Sequence, residues 1–168
     1  MNPLDEISFT RLLWFVPFLL AIHNVEEAPF MEKWSRELPL PIHPAVSTRQ
    51  FVWAVTLLTV AGFAITYFGI NTTKQPIGVW AVLEIQMIML VNAIAPHLVV
   101  SLRFQKYNPG VVTALFLNIP FSVYLFQRAM QVGLMSWGIF WVLLSIAPFA
   151  TVTIILVSLQ FGKRVSRN

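Results

Sequence analysis

The sequence predicts an all-α fold: a multi-pass transmembrane helical bundle of about five spans, in a single domain that covers residues 1–168. Of the 168 residues, 57% are hydrophobic and only 11% are charged. The mean hydropathy of +0.73 is too high for a soluble domain, whose surface must be wetted by water. Because one helical span takes about 20 residues, the chain has room for four to six spans with short connections.

Five apolar segments are the predicted spans. Two of them, 51–70 and 137–161, carry no charge and are long enough to cross a bilayer. The segments 77–102 and 111–126 also predict spans, although polar groups interrupt their interiors. The first segment, 12–22, covers only about 16 Å of a hydrocarbon layer roughly 30 Å thick. We therefore expect this segment to cross only if its polar neighbours enter the membrane with it.

The basic residues predict an orientation in the membrane. In a five-span arrangement the first loop, the third loop and the C-terminal tail share one side. That side carries eight of the 11 Lys and Arg residues: Lys33, Arg36, Arg49, Arg103, Lys106, Lys163, Arg164 and Arg167. The other side carries Arg11, Lys74 and Arg128. The positive-inside rule thus predicts an integral protein of the cytoplasmic membrane with its C-terminus inside and its N-terminus outside.

The sequence HNVEE at residues 23–27 has the clearest chemical content. Positions i, i+3 and i+4 of a helix share one face, so His23, Glu26 and Glu27 can converge. This pattern is like the H-x-x-E-H motif of zinc peptidases, with the last His replaced by Glu. The predicted third span places His97 at the same depth, which completes a set of two His and one carboxylate. We predict His23, Glu27 and His97 as ligands of a divalent metal, and Glu26 as a catalytic general base.

Two alternatives for this cluster stay open. The ligand set suits a catalytic zinc with an open position and equally a non-haem iron(II) centre, so the residue types do not choose between hydrolysis and oxidation. In the other alternative, His23, Glu26 and Glu27 are simply a solvated helix end at the level of the lipid headgroups. Because the sequence has no Cys, thiolate metal sites and iron–sulfur clusters are excluded.

Two asparagines in the predicted spans are candidates for holding a cofactor or a substrate. Pro96 has no N–H, so the carbonyl of Asn92 loses its helical donor and a kink is predicted just before His97. The freed carbonyl beside Asn92 and His97 is a suitable place for a ligand, and Asn118 of the fourth span could hold the imidazole of His97 in one orientation. In the alternative reading both asparagines only form hydrogen bonds between helices, at roughly 0.6 to 2 kcal/mol each.

These residues, together with the tetrapeptide YNPG at 107–110, resemble the signature of the HXXEE domain family. That signature combines an H-x-x-E-E motif, a second His and a Y-x-P-G motif, and all three occur here in order. The resemblance implies a small membrane-embedded protein of a family to which no activity is assigned. Pro109 followed by Gly110 predicts a tight turn with a positive φ at the glycine. Tyr107 is predicted at the membrane interface, as an anchor or as a hydrogen-bond donor to the site.

Three functions are compatible with these features. The first is an inner-leaflet, metal-dependent membrane enzyme that acts on an apolar or lipid-like substrate. The second is a small carrier in which the same carboxylates and imidazoles bind a proton or a cation. The third is a membrane scaffold held together by polar contacts between helices. The lipid bilayer is the expected partner. A nucleotide-phosphate site is not expected, because neither glycine-rich phosphate motif is present. Nucleic-acid binding is not expected either, because membrane topology accounts for the basic residues. The oligomeric state is left open.

Overall fold

The computed structural model of the chain describes residues 8–37, 44–71 and 76–167, which form helices and turns without any strand among them. Three short helices come first: α1 (Phe9–Leu12), α2 (Phe15–Glu27) and α3 (Met31–Glu37). Four helices that are long and apolar enough to cross a membrane follow: α4 (Thr48–Asn71), α5 (Ile77–Phe104), α6 (Val111–Gln131) and α7 (Trp137–Val165). The predicted multi-pass helical bundle is confirmed, with four long helices and a shorter N-terminal one.

Helices α1 and α2, with the two residues between them, contain the first apolar segment, whose ability to cross the membrane was left open by the sequence. Helix α2 has only 13 residues, but α1 lies directly before it and only two residues separate them. From residue 9 to residue 27 the two helices together extend roughly 28 Å at about 1.5 Å per residue. Leu12 and Leu13 pack with Met135, which follows α6, in one buried cluster. The N-terminal pair therefore runs along most of the length of the bundle.

Helix α5 lies at the centre of the bundle, in contact with α2, α4, α6 and α7. Its buried residues Val82, Leu83 and Met87 belong to the main apolar core. Large apolar side chains on the outer faces remain uncovered: Phe68, Leu102, Phe116 and Phe149 are each at least 68% exposed. An apolar surface of this extent would be unfavourable in water, whereas it suits contact with lipid chains.

One end of the bundle, which we call the basic end, is formed by α3, the N-termini of α4 and α6, and the C-termini of α2, α5 and α7. Gln50 of α4 donates a hydrogen bond to the carbonyl of Leu159 in α7 at 3.0 Å, which fixes these two helices antiparallel. At the opposite end the Trp80 side chain donates to the carbonyl of Leu134 at 2.7 Å. The basic end thus carries Arg103, Lys163 and the other residues of the predicted cytoplasmic side. Lys74 lies outside the described residues, and the choice of inner side stays a prediction.

Two π-helical stretches lie next to each other inside the bundle. The first, Ala93–Val99, contains Pro96, so the distortion predicted before His97 occurs as a widened helical turn. The second, Ala114–Asn118, precedes Pro120 and was not predicted. Since each proline lacks an N–H, the normal i to i−4 hydrogen bond cannot form there. Such π-helical turns are frequent at functional sites, because they shift side chains out of the regular helical positions.

Candidate metal centre

Three buried side chains meet at the basic end of the bundle. One ligand atom from each of His23, Glu27 and His97 lies within 4.8 Å of the others. The Glu27 Oε1 atom is 3.7 Å from Nε2 of His23 and 3.3 Å from Nε2 of His97. The exposed fractions are 3% for each His and 7% for the Glu. The structure therefore brings the three predicted ligands together around one point and shields them from solvent.

The local helix geometry explains how the three side chains converge. His23 and Glu27 are four residues apart on α2, so they occupy the same helical face. His97 comes from the π-helical stretch of α5, where the wider turn aims its ring at α2. The two imidazole rings are nearly perpendicular, at 88°, with centroids 4.8 Å apart. Both Nε2 atoms can therefore face the shared carboxylate oxygen.

Thr113 determines which nitrogen of His23 faces the centre. The Thr113 hydroxyl lies 2.7 Å from Nδ1 of His23, and it donates its hydrogen to the carbonyl of Gly110 at 3.2 Å. Because that hydrogen is already used, the hydroxyl must accept from the Nδ1–H of His23. The Nε2 lone pair of His23 is then free to bind a metal, which is the usual arrangement around metal-ligating histidines. Nothing in the sequence distinguished Thr113 from an ordinary residue of a helical first turn.

Asn92 lies beside both imidazoles, a position that the sequence did not indicate. Its Nδ2 atom is 2.9 Å from Nε2 of His97 and 3.4 Å from Nε2 of His23. The side-chain amide therefore faces the same space as the ligand atoms. An amide in this position can hydrogen-bond a molecule that binds next to the imidazoles.

The loop between α5 and α6 covers the centre through Gly110. The Val111 N–H donates to the carbonyl of Asn108 at 3.0 Å, which closes a turn with Pro109 and Gly110 as its central residues. The φ angle of Gly110 is 88°, so the predicted positive φ is confirmed. A Cβ atom at Gly110 would lie 2.7 Å from the Cε1 atoms of both imidazoles. The backbone can reach the two rings only because this residue has no side chain.

Asn108, the second residue of the same tetrapeptide, fastens the loop to α5. Its Nδ2 atom donates to the carbonyl of Pro96 at 2.6 Å and lies 3.4 Å from the carbonyl of His97. Asn108 is buried despite its position in a loop. It supplies donors to carbonyls in the π-helical stretch, and it thereby holds the backbone that carries His97. In the sequence, Asn108 stands at the unspecified position of the Y-x-P-G motif, where nothing indicates this role.

Glu26 makes its hydrogen bonds to the covering loop and to the first turn of α6. Its carboxylate accepts hydrogen bonds from the backbone N–H groups of Val112 and Thr113, at 3.1 and 2.8 Å, and from the Tyr107 hydroxyl at 2.9 Å. A carboxylate in this position caps the N-terminus of α6 and interacts favourably with the helix dipole. Burial and the hydrogen bond to Glu26 raise the pKa of Tyr107 to about 12, so the phenol remains a donor at neutral pH. The geometry therefore favours a structural role for Glu26 over the predicted catalytic one.

Among the described residues, Asn118 forms no hydrogen bond to His23, Glu27 or His97. The Ser122 hydroxyl donates to the backbone carbonyl of Asn118 at 2.6 Å and accepts from Gln86 at 2.7 Å. The Asn118 side chain is fully buried, and neither of its polar atoms has a hydrogen-bond partner among the described residues. The structure therefore gives no contact to support the predicted cofactor-binding role of Asn118, which stays a prediction.

The separations of the ligand atoms bear on the coordination geometry. With metal–ligand bonds of about 2.0 to 2.1 Å, ligand atoms of a tetrahedral zinc lie about 3.3 Å apart, and neighbouring ligands of an octahedral ion lie about 2.9 Å apart. The Glu27 Oε1 atom lies 3.3 Å from His97 Nε2 and 3.7 Å from His23 Nε2. The widest separation among the three ligand atoms reaches 4.8 Å, so the cluster does not distinguish the two coordination geometries.

Comparisons with known proteins agree with the residue pattern. Residues 14–125 match the family described as "Protein of unknown function with HXXEE motif". Over an alignment of 123 residues the chain is 29% identical to the uncharacterized protein YrkK of Bacillus subtilis (strain 168). The alignment covers 73% of this chain and 77% of that protein. No solved structure matches the chain. The family match contains the whole buried cluster and the covering loop but stops before α7, and it covers well over half of the residues. The chain is therefore a member of the HXXEE family.

Proposed function

We propose that this protein is a membrane-embedded, metal-dependent enzyme in which His23, Glu27 and His97 bind one divalent cation. The observation that supports the proposal most directly is that three ligand atoms from two helices lie within 4.8 Å of one another. If these residues served only to hold helices together, each would bond a separate neighbour. The Glu27 Oε1 atom is instead shared between two imidazole nitrogens.

The charge of Glu27 supports the same proposal. A buried carboxylate is unfavourable unless a cation or several donors compensate it. Among the described residues no Lys or Arg forms an ion pair with Glu27, and its recorded partners are the two imidazoles. The donor set of two imidazoles and one carboxylate is common to catalytic zinc and non-haem iron sites. A divalent cation would compensate the carboxylate and use both Nε2 lone pairs.

The surrounding residues support a catalytic site over a closed structural one. Three protein ligands leave one position open, where a metal supplies an acidified water molecule or polarises a bound carbonyl group. Thr113 orients His23, and Asn108 holds the backbone that carries His97. The amide of Asn92 faces the ligand atoms and would orient a bound molecule at the open position. The donor set fits zinc and iron(II) equally, and a location among apolar helices favours an apolar or lipid-like substrate.

Metal analysis of the purified protein tests this proposal. We expect close to one equivalent of zinc or iron in the wild type and a loss of at least ten-fold in affinity for His23→Ala, Glu27→Gln and His97→Ala. Asn24→Ala is the matched control, because Asn24 is also buried on α2 but bonds Thr59 of α4 at 2.9 Å instead of the centre. We expect this variant to retain its metal and to lose only stability.

A thermal melt recorded with and without a chelator separates metal loss from unfolding. A metal-binding wild type should melt at a lower temperature after chelation, and the three ligand variants should show no such difference. Substoichiometric metal in the wild type, unchanged in all variants, would contradict the enzyme proposal. The carrier and the scaffold would then be the remaining hypotheses.

A further inference from the structure

A second site lies beside the loop that covers the centre. A surface pocket of about 140 Å³ opens at the basic end between helix α3 and the C-terminus of α5. Val100 and Phe104 of α5 form an apolar wall, and Trp34 of α3 lies on the other side. The loop residues Tyr107 and Asn108 also line it. The pocket is therefore partly apolar and partly polar, at the level where membrane proteins meet the lipid headgroups.

Basic side chains outnumber acidic ones around the pocket. Lys106 and Glu37 both line it, and Glu37 lies 4.0 Å from Lys33 on the same helix. Arg103 lies with its guanidinium carbon 5.9 Å from the centre of the Phe104 ring. Neither Lys106 nor Arg103 forms an ion pair among the described residues. Lys106 is therefore the basic residue that lines the pocket, and Lys33 lies close to the acidic Glu37 on the opposite wall.

We propose that this pocket binds the phosphate-bearing headgroup of an anionic phospholipid. Lys106 would pair with the phosphate, Trp34 and Tyr107 would contact the glycerol region, and the acyl chains would run along the exposed outer face of α5. Val100 and Phe104, which form the apolar wall of the pocket, would contact the start of these chains. A lipid satisfies the charge and the apolar surface together, whereas a free anion satisfies only the charge.

The pocket is connected to the metal centre by two hydrogen-bonded residues. Asn108 lines the pocket and donates to the carbonyl of Pro96, next to His97. Tyr107 also lines the pocket and donates to Glu26, next to Glu27. A headgroup in the pocket would therefore contact the loop that covers the centre. Lipid binding stands by itself, whereas the use of that lipid as a substrate rests on the proposed function.

Binding of short-chain lipids to the detergent-purified protein tests the site. The three probes are dihexanoyl phosphatidylglycerol, dihexanoyl phosphatidylcholine and inorganic phosphate, each titrated by calorimetry. We expect phosphatidylglycerol to bind about five-fold more tightly than phosphatidylcholine, and Lys106→Gln to abolish that preference, since one basic residue contributes about a factor of five. Lys106→Arg should retain the preference. Lys163→Gln, an exposed lysine on α7 at the same end, is the matched control and should bind as the wild type does.

The outcomes distinguish this site from the metal centre. Each titration is repeated on chelator-treated protein, and we expect the lipid preference to persist there even if no metal is ever found. Equal affinities for the two lipids, or an unchanged preference in Lys106→Gln, would overturn the proposal. Inorganic phosphate that competes as strongly as the anionic lipid would also overturn it, because the pocket would then be a simple anion site.

Discussion

At the scale of single residues, Gly110 is the position of the covering loop at which a side chain would collide with both imidazoles. Gly110 needs both of the properties that set glycine apart, because it adopts a φ of 88° and its α-carbon lies against two imidazole rings. Backbone in the left-handed region is unfavourable for other residues by roughly 1 to 2 kcal/mol. The contact with the rings adds a steric penalty that falls on the ligands themselves. This position therefore couples the covering loop to the geometry of the candidate metal centre.

Gly110→Ala should consequently release the metal. The added Cβ would lie 2.7 Å from the Cε1 atoms of His23 and His97, so at least one ring must move away from the shared ligand point. Gly133→Ala is the matched control, since Gly133 has a φ of 72° but no heavy atom within 4 Å of an added Cβ. We expect Gly133→Ala to lose about 1 kcal/mol of stability and Gly110→Ala to lose more, and only Gly110→Ala to lose metal in elemental analysis. Full metal occupancy in both variants would show that the loop does not press on the ligands.

The residues of the centre differ in how readily the sequence reveals them. His23, Glu27 and His97 could be predicted, because ionisable groups at membrane depth are rare and their spacing fixes the helical face. Thr113 and Asn108 could not, since their roles depend on where the covering loop crosses α2 and α5. The capping contacts of Glu26 could not be predicted for the same reason. Its chemistry resembles that of Glu27, and only the position of the α6 N-terminus separates the two.

At the scale of secondary structure, two carboxylates from the N-terminal part of the chain cap the N-termini of two long helices. Glu26 accepts from the first backbone N–H groups of α6. Glu32 accepts from the backbone N–H and the hydroxyl of Thr48, at 2.6 and 2.8 Å, where α4 begins. These bonds from Thr48 hold the pKa of Glu32 below its usual value. The stabilisation is therefore present above the unfolded-state pKa and is lost as the pH falls through the lower folded-state value.

The capping role of Glu26 leads to a prediction that separates it from catalysis. Glu26→Ala should lower stability by about 1 kcal/mol, because the N-terminal donors of α6 lose their acceptor, and it should leave the metal content unchanged. Glu32→Ala is the matched control, since it removes an equivalent cap far from the centre. Chemical denaturation and elemental analysis of both variants provide the two readouts. If Glu26→Ala lost metal and Glu32→Ala did not, Glu26 would belong to the centre, as the sequence first indicated.

The two π-helical stretches differ in how well the sequence of their own segment predicts them. Pro96 predicted a distortion in α5, and the stretch Ala93–Val99 occurs there. The stretch Ala114–Asn118 gave a weaker signal, because Pro120 lies just beyond it and a proline near a helix start is ordinary. Whether a missing hydrogen bond produces a kink or a π-helical turn depends on the neighbouring helix. Here the two stretches pack against each other, which no single segment could indicate.

At the scale of the whole molecule, the hydropathy pattern was sufficient for the long helices. The segments predicted at 51–70, 77–102, 111–126 and 137–161 lie within Thr48–Asn71, Ile77–Phe104, Val111–Gln131 and Trp137–Val165. In a bilayer every backbone polar group must be bonded inside its own segment, so long apolar segments have little choice but to be helical. The first segment was harder, because α1 and α2 together reach along the bundle while neither is long enough alone.

The orientation of the bundle is the last prediction, and it depends on all of the helices together. The basic end carries most of the Lys and Arg residues, and the described part of the opposite end carries Arg11 and Arg128. A reporter fused after Asn168 should therefore report the cytoplasm. If the roughly 28 Å of α1 and α2 cross the membrane, a reporter before Met1 should report the exterior. Reporters that agree on one side would instead make the N-terminal pair re-entrant, and His23 and Glu27 would then lie on a half-helix that enters the membrane from the cytoplasmic side.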